Sequence, residues 1–472
     1  MNLKELYQKF IDLEEKLDLF SYKFNGMYIW ERIRFTVFGE IKVALGLTGQ
    51  AHTLKRFKEV KTFEKLKFLF LLIKDSMFHN PFYIKGVDFL FIGHPRRKLM
   101  DDGLYWDIYT DPIVNKMVDY KTATVEGYHS LSHFTPVKTK RLYYTGIINL
   151  IARLKAIIYR DRPNLEIEKF SKMLKQRIKD EFGVDLNIEN SIVKILANRQ
   201  FVLLYKKLFK KMRLQAIFVI CSYGKENIIE AAKQLKIPVV ELQHGVINRY
   251  HLGYSYENSW PKQSFPDYFF PFGEFWLDNI DLPIPENKIF PIGYPYIDNF
   301  LKNYRKASKQ NTIIFISQGT IGKKLSQFAV KTAEIFKGQA EVIYKLHPGE
   351  CEKWKKNYSC LVQAEKRKIV KVIEGDKPNL YELFSCSRWV VGVSSTAIYE
   401  AMAFNCTPFI VNLFGSEYME ALVKNKFAKL INEPEEIDLS FKPATINKEY
   451  FFADDWQLRF KKAISQIMKN TE

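Results

Sequence analysis

A succession of short, largely apolar runs, most of them followed by a small or turn-forming residue, limits this chain more than any other feature. Val87–Gly93, Ala216–Cys221 and Pro238–Leu242 lie in its first part; Ile313–Ile316, Glu341–Leu346, Val370–Ile373, Trp389–Val393 and Thr407–Val411 lie in its second. Runs this short without polar alternation are what strands buried on both faces show. Helical segments follow several of them. Lys225–Leu235 carries Ile228, Ile229, Ala231, Ala232 and Leu235 on one side, and Lys323–Phe336 follows the Gly-bearing loop Ser317–Gly322. Strand, turn and helix in alternation predict an α/β chain with two Rossmann-like domains and a cleft between them.

The expected boundaries are an N-terminal helical segment over 1–84, a first Rossmann-like domain over 85–300, a second over 311–445, and a C-terminal helix within 446–472 that packs back across the domains. The polar, basic stretch Lys302–Asn311 reads as the interdomain linker. Residues 139–213 read mostly as helix with a break at Pro163, and 251–288, with Pro261, Pro266, Pro271, Pro283 and Pro285, as a loop-rich connector.

The five cysteines form no CxxC pair, which reads as reduced thiols of a cytosolic protein. Acids in the first twenty residues argue against a signal peptide. The apolar stretch Phe68–Ile73 falls far short of the ~20 residues that span a bilayer. The formal charge of +19 calls for an anionic partner. Basic residues concentrate at Lys55, Arg56, Lys58, Lys61, Lys65 and Lys67, and again from Lys138 to Arg162 among Ile147, Ile148, Leu150, Ile151, Leu154, Ile157 and Ile158. Both segments read as basic amphipathic helices, either lying on an anionic membrane surface or packing as ordinary surface helices. The first alternative makes the protein peripheral on the inner face of the cytoplasmic membrane. No RNA- or DNA-binding motif accompanies the charge, so nucleic acid is not expected.

The chemistry-bearing residues fall at strand ends. Gly392–Ala403 runs from a buried strand into a helix whose start carries Ser394, Ser395 and Thr396, with Glu400 one turn further in. A helix start with hydroxyls either holds a phosphate or is plainly N-capped. Lys345, His347 and Pro348 close another strand, where a histidine could donate to a diphosphate oxygen. Gln318, Gly319 and Thr320 form a turn whose amides could cradle phosphate. In the first domain His244, before the turn at Gly245, fits a general base or a positioning donor. Asp102, in Met100–Gly103, is the rival base, and Asp107 and Asp111 compete with it. No Cys/His cluster or Asp-x-Asp follows a strand, so neither a metal nor another cofactor is expected.

Gln243-His-Gly245, Ile292–Asp298, Lys345-Leu-His-Pro348 and Ser394-Ser-Thr396 with Glu400 resemble bacterial surface-polysaccharide glycosyltransferases of the GT-B fold. Asn227–Ile247, with its Glu241–Ile247 stretch, is similar to the capsule and O-antigen (lipopolysaccharide) transferases. With Asp101-Asp-Gly103, the His-Pro and Ser-Ser pairs also resemble bacterial sialyl- and polysialyltransferases, where the acidic motif supplies the base and the pairs hold the CMP of the donor. The His-Gly, His-Pro and Ser-Ser trio further resembles the teichoic-acid glycerophosphotransferases, in which a histidine after the strand is the base. The resemblance spans about residues 85–430 and implies a metal-independent transferase. Its substrates would be a nucleotide sugar and a glycan or lipid-linked acceptor. A CDP-glycerol-type glycerophosphotransferase and a nucleotide-sugar epimerase of the same twin-Rossmann fold are the alternatives.

Overall fold

The computed structural model describes residues 1–24, 26–47, 62–94, 97–158, 165–257, 260, 262–278, 280–304, 307–375, 377–445 and 447–470. Several residues singled out above lie outside the described ones: Lys55, Arg56, Lys58, Lys61, Arg162, Pro163 and Pro261.

Two six-stranded parallel sheets organise the chain. The first contains β1 (Phe89–Ile92), β2 (Thr122–Glu126), β3 (Leu142–Tyr144), β4 (Ala216–Ile220), β5 (Val239–Leu242) and β6 (Tyr268–Phe270), in the order β6-β5-β4-β1-β2-β3. The second contains β7 (Gln310–Ile316), β8 (Glu341–Lys345), β9 (Val370–Ile373), β10 (Ser387–Gly392), β11 (Thr407–Val411) and β12 (Lys429–Ile431), in the order β9-β8-β7-β10-β11-β12. Each sheet therefore runs third, second, first, fourth, fifth, sixth, the doubly wound Rossmann order. Two such domains facing each other make the GT-B architecture. The central strands β1 and β4 are buried along their whole length, as their unbroken apolar sequences require.

In each sheet the winding direction reverses beside the first strand, between β1 and β4 and between β7 and β10. Neighbouring loops diverge there, and the crevice outside the strand ends is where such sheets bind ligands. The two switch points fall at Gly93–His94 with Cys221–Tyr223, and at Ser317–Gln318 with Val393–Ser395.

The labelled helices are α1 (Leu3–Lys16), α2 (Trp30–Ala44), α3 (Thr62–Phe78), α4 (Gly146–Ile158), α5 (Leu165–Phe182), α6 (Ile188–Ala197), α7 (Arg199–Phe209), α8 (Glu226–Lys233), α9 (Gly322–Ile335), α10 (Thr396–Ala403) and α11 (Trp456–Lys469). A reciprocal capping box starts α1: the Glu5 amide donates to Asn2 Oδ1 at 2.9 Å and the Asn2 amide to Glu5 Oε2 at 3.1 Å. The N-terminal helices do not stand apart. α1 and α2 share one apolar cluster with α5, α6 and Tyr250, Leu252 and Tyr256. At its centre Arg34 holds Glu14 through two bonds of 2.6 and 2.9 Å and donates to the carbonyls of Leu252 and Ser255. The connector after His244 is thus fastened to α2 by a fully satisfied buried pair.

The C-terminal helix α11 packs its i, i+4, i+7, i+8, i+11 stripe (Trp456, Phe460, Ala463, Ile464, Ile467) against the first sheet, with Phe460 5.8 Å from Phe218 and 5.9 Å from Phe270. Gly293, at φ 86°, admits that crossing, since a Cβ there would stand 2.2 Å from the Ala453 carbonyl oxygen. Three details depart from the sequence reading. The stretch 139–213 contains the edge strand β3. A two-residue hairpin, Lys23–Phe24 with Met27–Tyr28, interrupts the N-terminal helices. The expected linker is partly structured: Lys302 belongs to the helix Pro295–Asn303 and Gln310 already opens β7.

Candidate active site

At the second switch point the β7 and β10 ends are tied through Gln318. Its Oε1 accepts from the amide and the hydroxyl of Ser394, both at 3.3 Å, and its Nε2 donates to the Ser394 carbonyl at 3.3 Å. Ser395 is the N-cap of α10, its Oγ accepting from the Ala397 amide at 3.2 Å. Capping and phosphate binding are compatible here, because an accepting hydroxyl keeps its own proton to donate. Ser395→Ala should cost about 1 kcal/mol of unfolding free energy without any ligand, the ordinary worth of such a cap. Denaturant titration of the unliganded protein measures it, and an unchanged value would mean that the cap contributes nothing.

Gly319 and Thr320 are exposed in the turn leading to α9. On the other side of β7, Pro348 is exposed and His347 half-buried, and the turn they form hangs on a residue the sequence reading missed, Glu350. One Glu350 oxygen accepts from the His347 amide at 2.9 Å; the other accepts from Ser317 Oγ at 2.9 Å and from the Tyr358 hydroxyl. His347 Nδ1 in turn accepts from the Gly349 amide at 3.1 Å. Gly322 is required beneath this knot: a Cβ would meet Tyr358 Oη at 2.1 Å and Glu350 Oε1 at 2.2 Å. Lys345 is buried, with Nζ donating to the carbonyls of Leu346 and Gly375 at 3.0 and 2.7 Å, so it braces these turns from below. Glu400 is half-buried and hydrogen-bonded to Tyr381; burial raises its pKa, against the pull of Lys98 from the first domain and of the Tyr381 hydroxyl.

At the first switch point Cys221 takes a left-handed conformation, φ 63°, unusual for a residue with a side chain. That sharp turn lets the Ser222 amide donate to Glu241 Oε1 at 3.0 Å and brings the Tyr223 hydroxyl within 3.0 Å of His244 Nε2. Glu241 is fully buried and accepts a hydrogen bond from the Tyr254 hydroxyl, whose oxygen lies 3.2 Å from His244 Nδ1. A tyrosine that donates to a carboxylate can only accept from the ring. His244 therefore carries its proton on Nδ1 and presents a lone pair on Nε2. Burial, then the charge of nearby His94, pushes the His244 pKa down to about 4. Burial also raises Glu241, to about 7. Gln243 fixes the loop, its Nε2 donating to the Gly245 carbonyl at 2.8 Å and its Oε1 accepting from the Phe272 amide at 2.7 Å. The Tyr109 hydroxyl donates to the His244 carbonyl at 2.9 Å.

The two switch points meet. The Val246 amide donates to Thr396 Oγ1 at 3.2 Å, Asn248 Nδ2 to the Tyr418 carbonyl at 2.9 Å, and the Tyr250 hydroxyl to Glu420 at 2.7 Å. Thr396 thus links the His244 loop to the start of α10. Asp102 behaves differently. It lies in the turn of the hairpin Lys98–Leu99 with Tyr105–Trp106 and accepts from the Leu104 amide, Trp106 Nε1 and Lys138 Nζ. The slight desolvation of its carboxylate is outweighed by these donors, so its pKa is lowered. None of the described contacts brings it to His244 or Ser394. Of its competitors, Asp107 is buried and accepts from the amides of His94, Tyr109 and Thr110. Asp111 and Glu126 surround buried Arg97. Burial raises Asp111 to about 6, helped by the Asp107 charge, and burial raises Glu126 to about 7 against the pull of Arg97. A cavity of about 710 Å³ lies elsewhere, between α2, α7 and α8 beside Arg32, Arg199 and Glu230.

No protein-family model matches the chain, and no curated protein does. Among solved structures it is similar to the UDP-GlcNAc 2-epimerase from Methanocaldococcus jannaschii, at 12% identity over 81% of this chain and 100% of that one, TM-score 0.48. It is similar to the Neisseria meningitidis UDP-GlcNAc 2-epimerase bound to UDP-GlcNAc at 13% identity, 81% and 100% coverage and TM-score 0.45. Phytolacca americana UGT2, complexed with UDP-2fluoro-glucose and pterostilbene, matches at 9% identity, 82% and 94% coverage and TM-score 0.38.

Proposed function

We propose that the chain is a glycosyltransferase, carrying a sugar from a nucleotide-activated donor to a surface-glycan or lipid-linked acceptor. The observation that carries this reading is the meeting of the two switch points, with His244 on one wall and the helix start of Ser394–Thr396 on the other. The first-turn amides of α9 and α10, with Ser394 and Ser395, would take the donor diphosphate, where helix dipoles favour negative charge. His347 would donate to the leaving phosphate. The sugar would then face the first domain, where His244 Nε2 would take the acceptor hydroxyl proton and pass positive charge toward Tyr254 and Glu241. Tyr223, now on Nε2, marks the place of that hydroxyl. Because Thr396 and Val246 already touch, donor entry would require the domains to part and reclose, excluding water from the transfer. No metal enters this reading.

Incubation with UDP, CMP, CDP, GDP and dTDP should raise the unfolding midpoint for one nucleotide class. The matching nucleotide sugar should be consumed fast only when a glycan acceptor is present, and equally fast in EDTA. Epimerised nucleotide sugar appearing without acceptor would overturn the transferase reading; transfer from CDP-glycerol alone would redirect it to glycerophosphate.

A further inference from the structure

The outer surfaces of α3 and α4 are more apolar than folding requires. On α3, Leu72 and Asp75 are buried and Phe68 half-buried, whereas Phe63, Leu66, Phe70, Ile73 and Met77 recur at three- and four-residue spacing on the opposite face. Those five are 53–72% exposed. α4 packs on α3 and leaves Leu150, Leu154, Ile157 and Ile158 at 40–74% exposure. Helices at a protein surface ordinarily turn such stripes inward. The pair is held rigidly at the sheet edge: Asp75 bonds Tyr128 and His133, and the Tyr144 amide of β3 donates to the His79 carbonyl just past α3.

The charge around the stripes has one sign. Lys67, Lys74, Arg153 and Lys155 are exposed on the two helices, against Glu64 as the exposed acid among their described residues. Lys67 Nζ lies 4.6 Å from the centre of the Phe63 ring, so the stem covers apolar surface while the ammonium stays at its rim. No helix among the described residues is long and apolar enough to cross a membrane. An apolar stripe bordered by lysine and arginine on short helices is the pattern of an in-plane interfacial helix. A second copy fits poorly, because a twofold contact would set these cations against each other.

We propose that the α3–α4 face docks in the plane of an anionic lipid bilayer, with the apolar stripes among the acyl chains and the flanking cations at the headgroups. The proposal is independent of the donor chemistry, since binding is read without turnover. The full chain is sedimented with phosphatidylcholine vesicles and with vesicles containing about one-third phosphatidylglycerol, at low and high salt. Partition to the anionic vesicles should be at least tenfold stronger, and should weaken at high salt as screening shortens. Phe70→Asp and Ile157→Asp, each placed on exposed side chains of a different helix, should each cut partition at least tenfold while the unfolding midpoint stays unchanged. Equal binding to both vesicle types, binding that survives both substitutions, or a concentration-dependent dimer dissociated by Phe70→Asp would overturn it.

Discussion

His244→Ala should lower kcat by about 10²- to 10⁴-fold, the ordinary contribution of a positioned general base, and leave the donor KM within a few-fold. The base needs a free lone pair near neutrality. Burial supplies that by holding the imidazole well below its usual 6.5, at about 4. The acid limb of kcat/KM should accordingly fall near pH 4 and not near 6.5. Tyr254→Phe removes the oxygen that accepts from Nδ1, so it should lower kcat less than His244→Ala does and move the acid limb. The same depressed pKa is a stability statement. Between pH 6.5 and about 4 the unfolded chain binds a proton at this position that the folded chain refuses, so stability is lost as pH falls through that window. The full difference corresponds to about 3 kcal/mol. Its signature is a fall in unfolding midpoint between pH 7 and 4.5 that is smaller in His244→Asn. Half-buried His251, which desolvation pushes down to about 3, leaves a residual fall in the variant. If the two proteins lost stability equally, His244 would not be held neutral in the folded chain.

The parts of this arrangement that could be read from sequence are those with a local signature. Unbroken apolar runs such as Phe89–Ile92 and Ala216–Ile220 disclose central parallel strands, and the residues just after such strands then fall at the crevice. That is why His244, Gln318, His347 and Ser394 were identifiable as candidates. β2 is not, because Thr122–Glu126 alternates and ends in an acid; Ala123 and Val125 pack in the apolar core, and Arg97, 29 residues earlier, compensates buried Glu126. β3 is three residues long, below any periodicity. The union of α1 and α2 with α5 and α6 depends on packing between segments well over a hundred residues apart, which leaves no local trace. The partners of His244 depend on the left-handed turn at Cys221, and cysteine announces no such turn. Two signals were present. Glu241 is an acid inside an otherwise apolar strand run, and Glu350 stands three residues beyond His347; each is buried at the hinge of its loop.

Glu350→Ala should be the most damaging single change on the donor side, acting through shape. The carboxylate is 3% exposed and accepts from Ser317 Oγ, the Tyr358 hydroxyl and the His347 amide. Its removal strands three donors in a space that water reaches poorly, at about 1–3 kcal/mol each when nothing replaces the acceptor. Relaxation and water entry will recover part of this, leaving a net loss of about 3 kcal/mol. Glu350→Gln should fall between the variant and the native chain, since one amide oxygen still accepts while the NH₂ group opposes a donor. The functional consequence follows from the geometry. The His347–Pro348 turn and the Ser317 end of β7 are both fixed to this one side chain, so losing it frees two of the loops proposed to surround the diphosphate. Nucleotide affinity of the folded variant, measured by calorimetry below its unfolding midpoint, should fall at least tenfold. Gly322→Ala should produce the same loss by the opposite route, driving a methyl group into Tyr358 and Glu350. If either variant lost stability but bound nucleotide as tightly as the native chain, the His347 turn would be structural and the phosphate site would reduce to the start of α10.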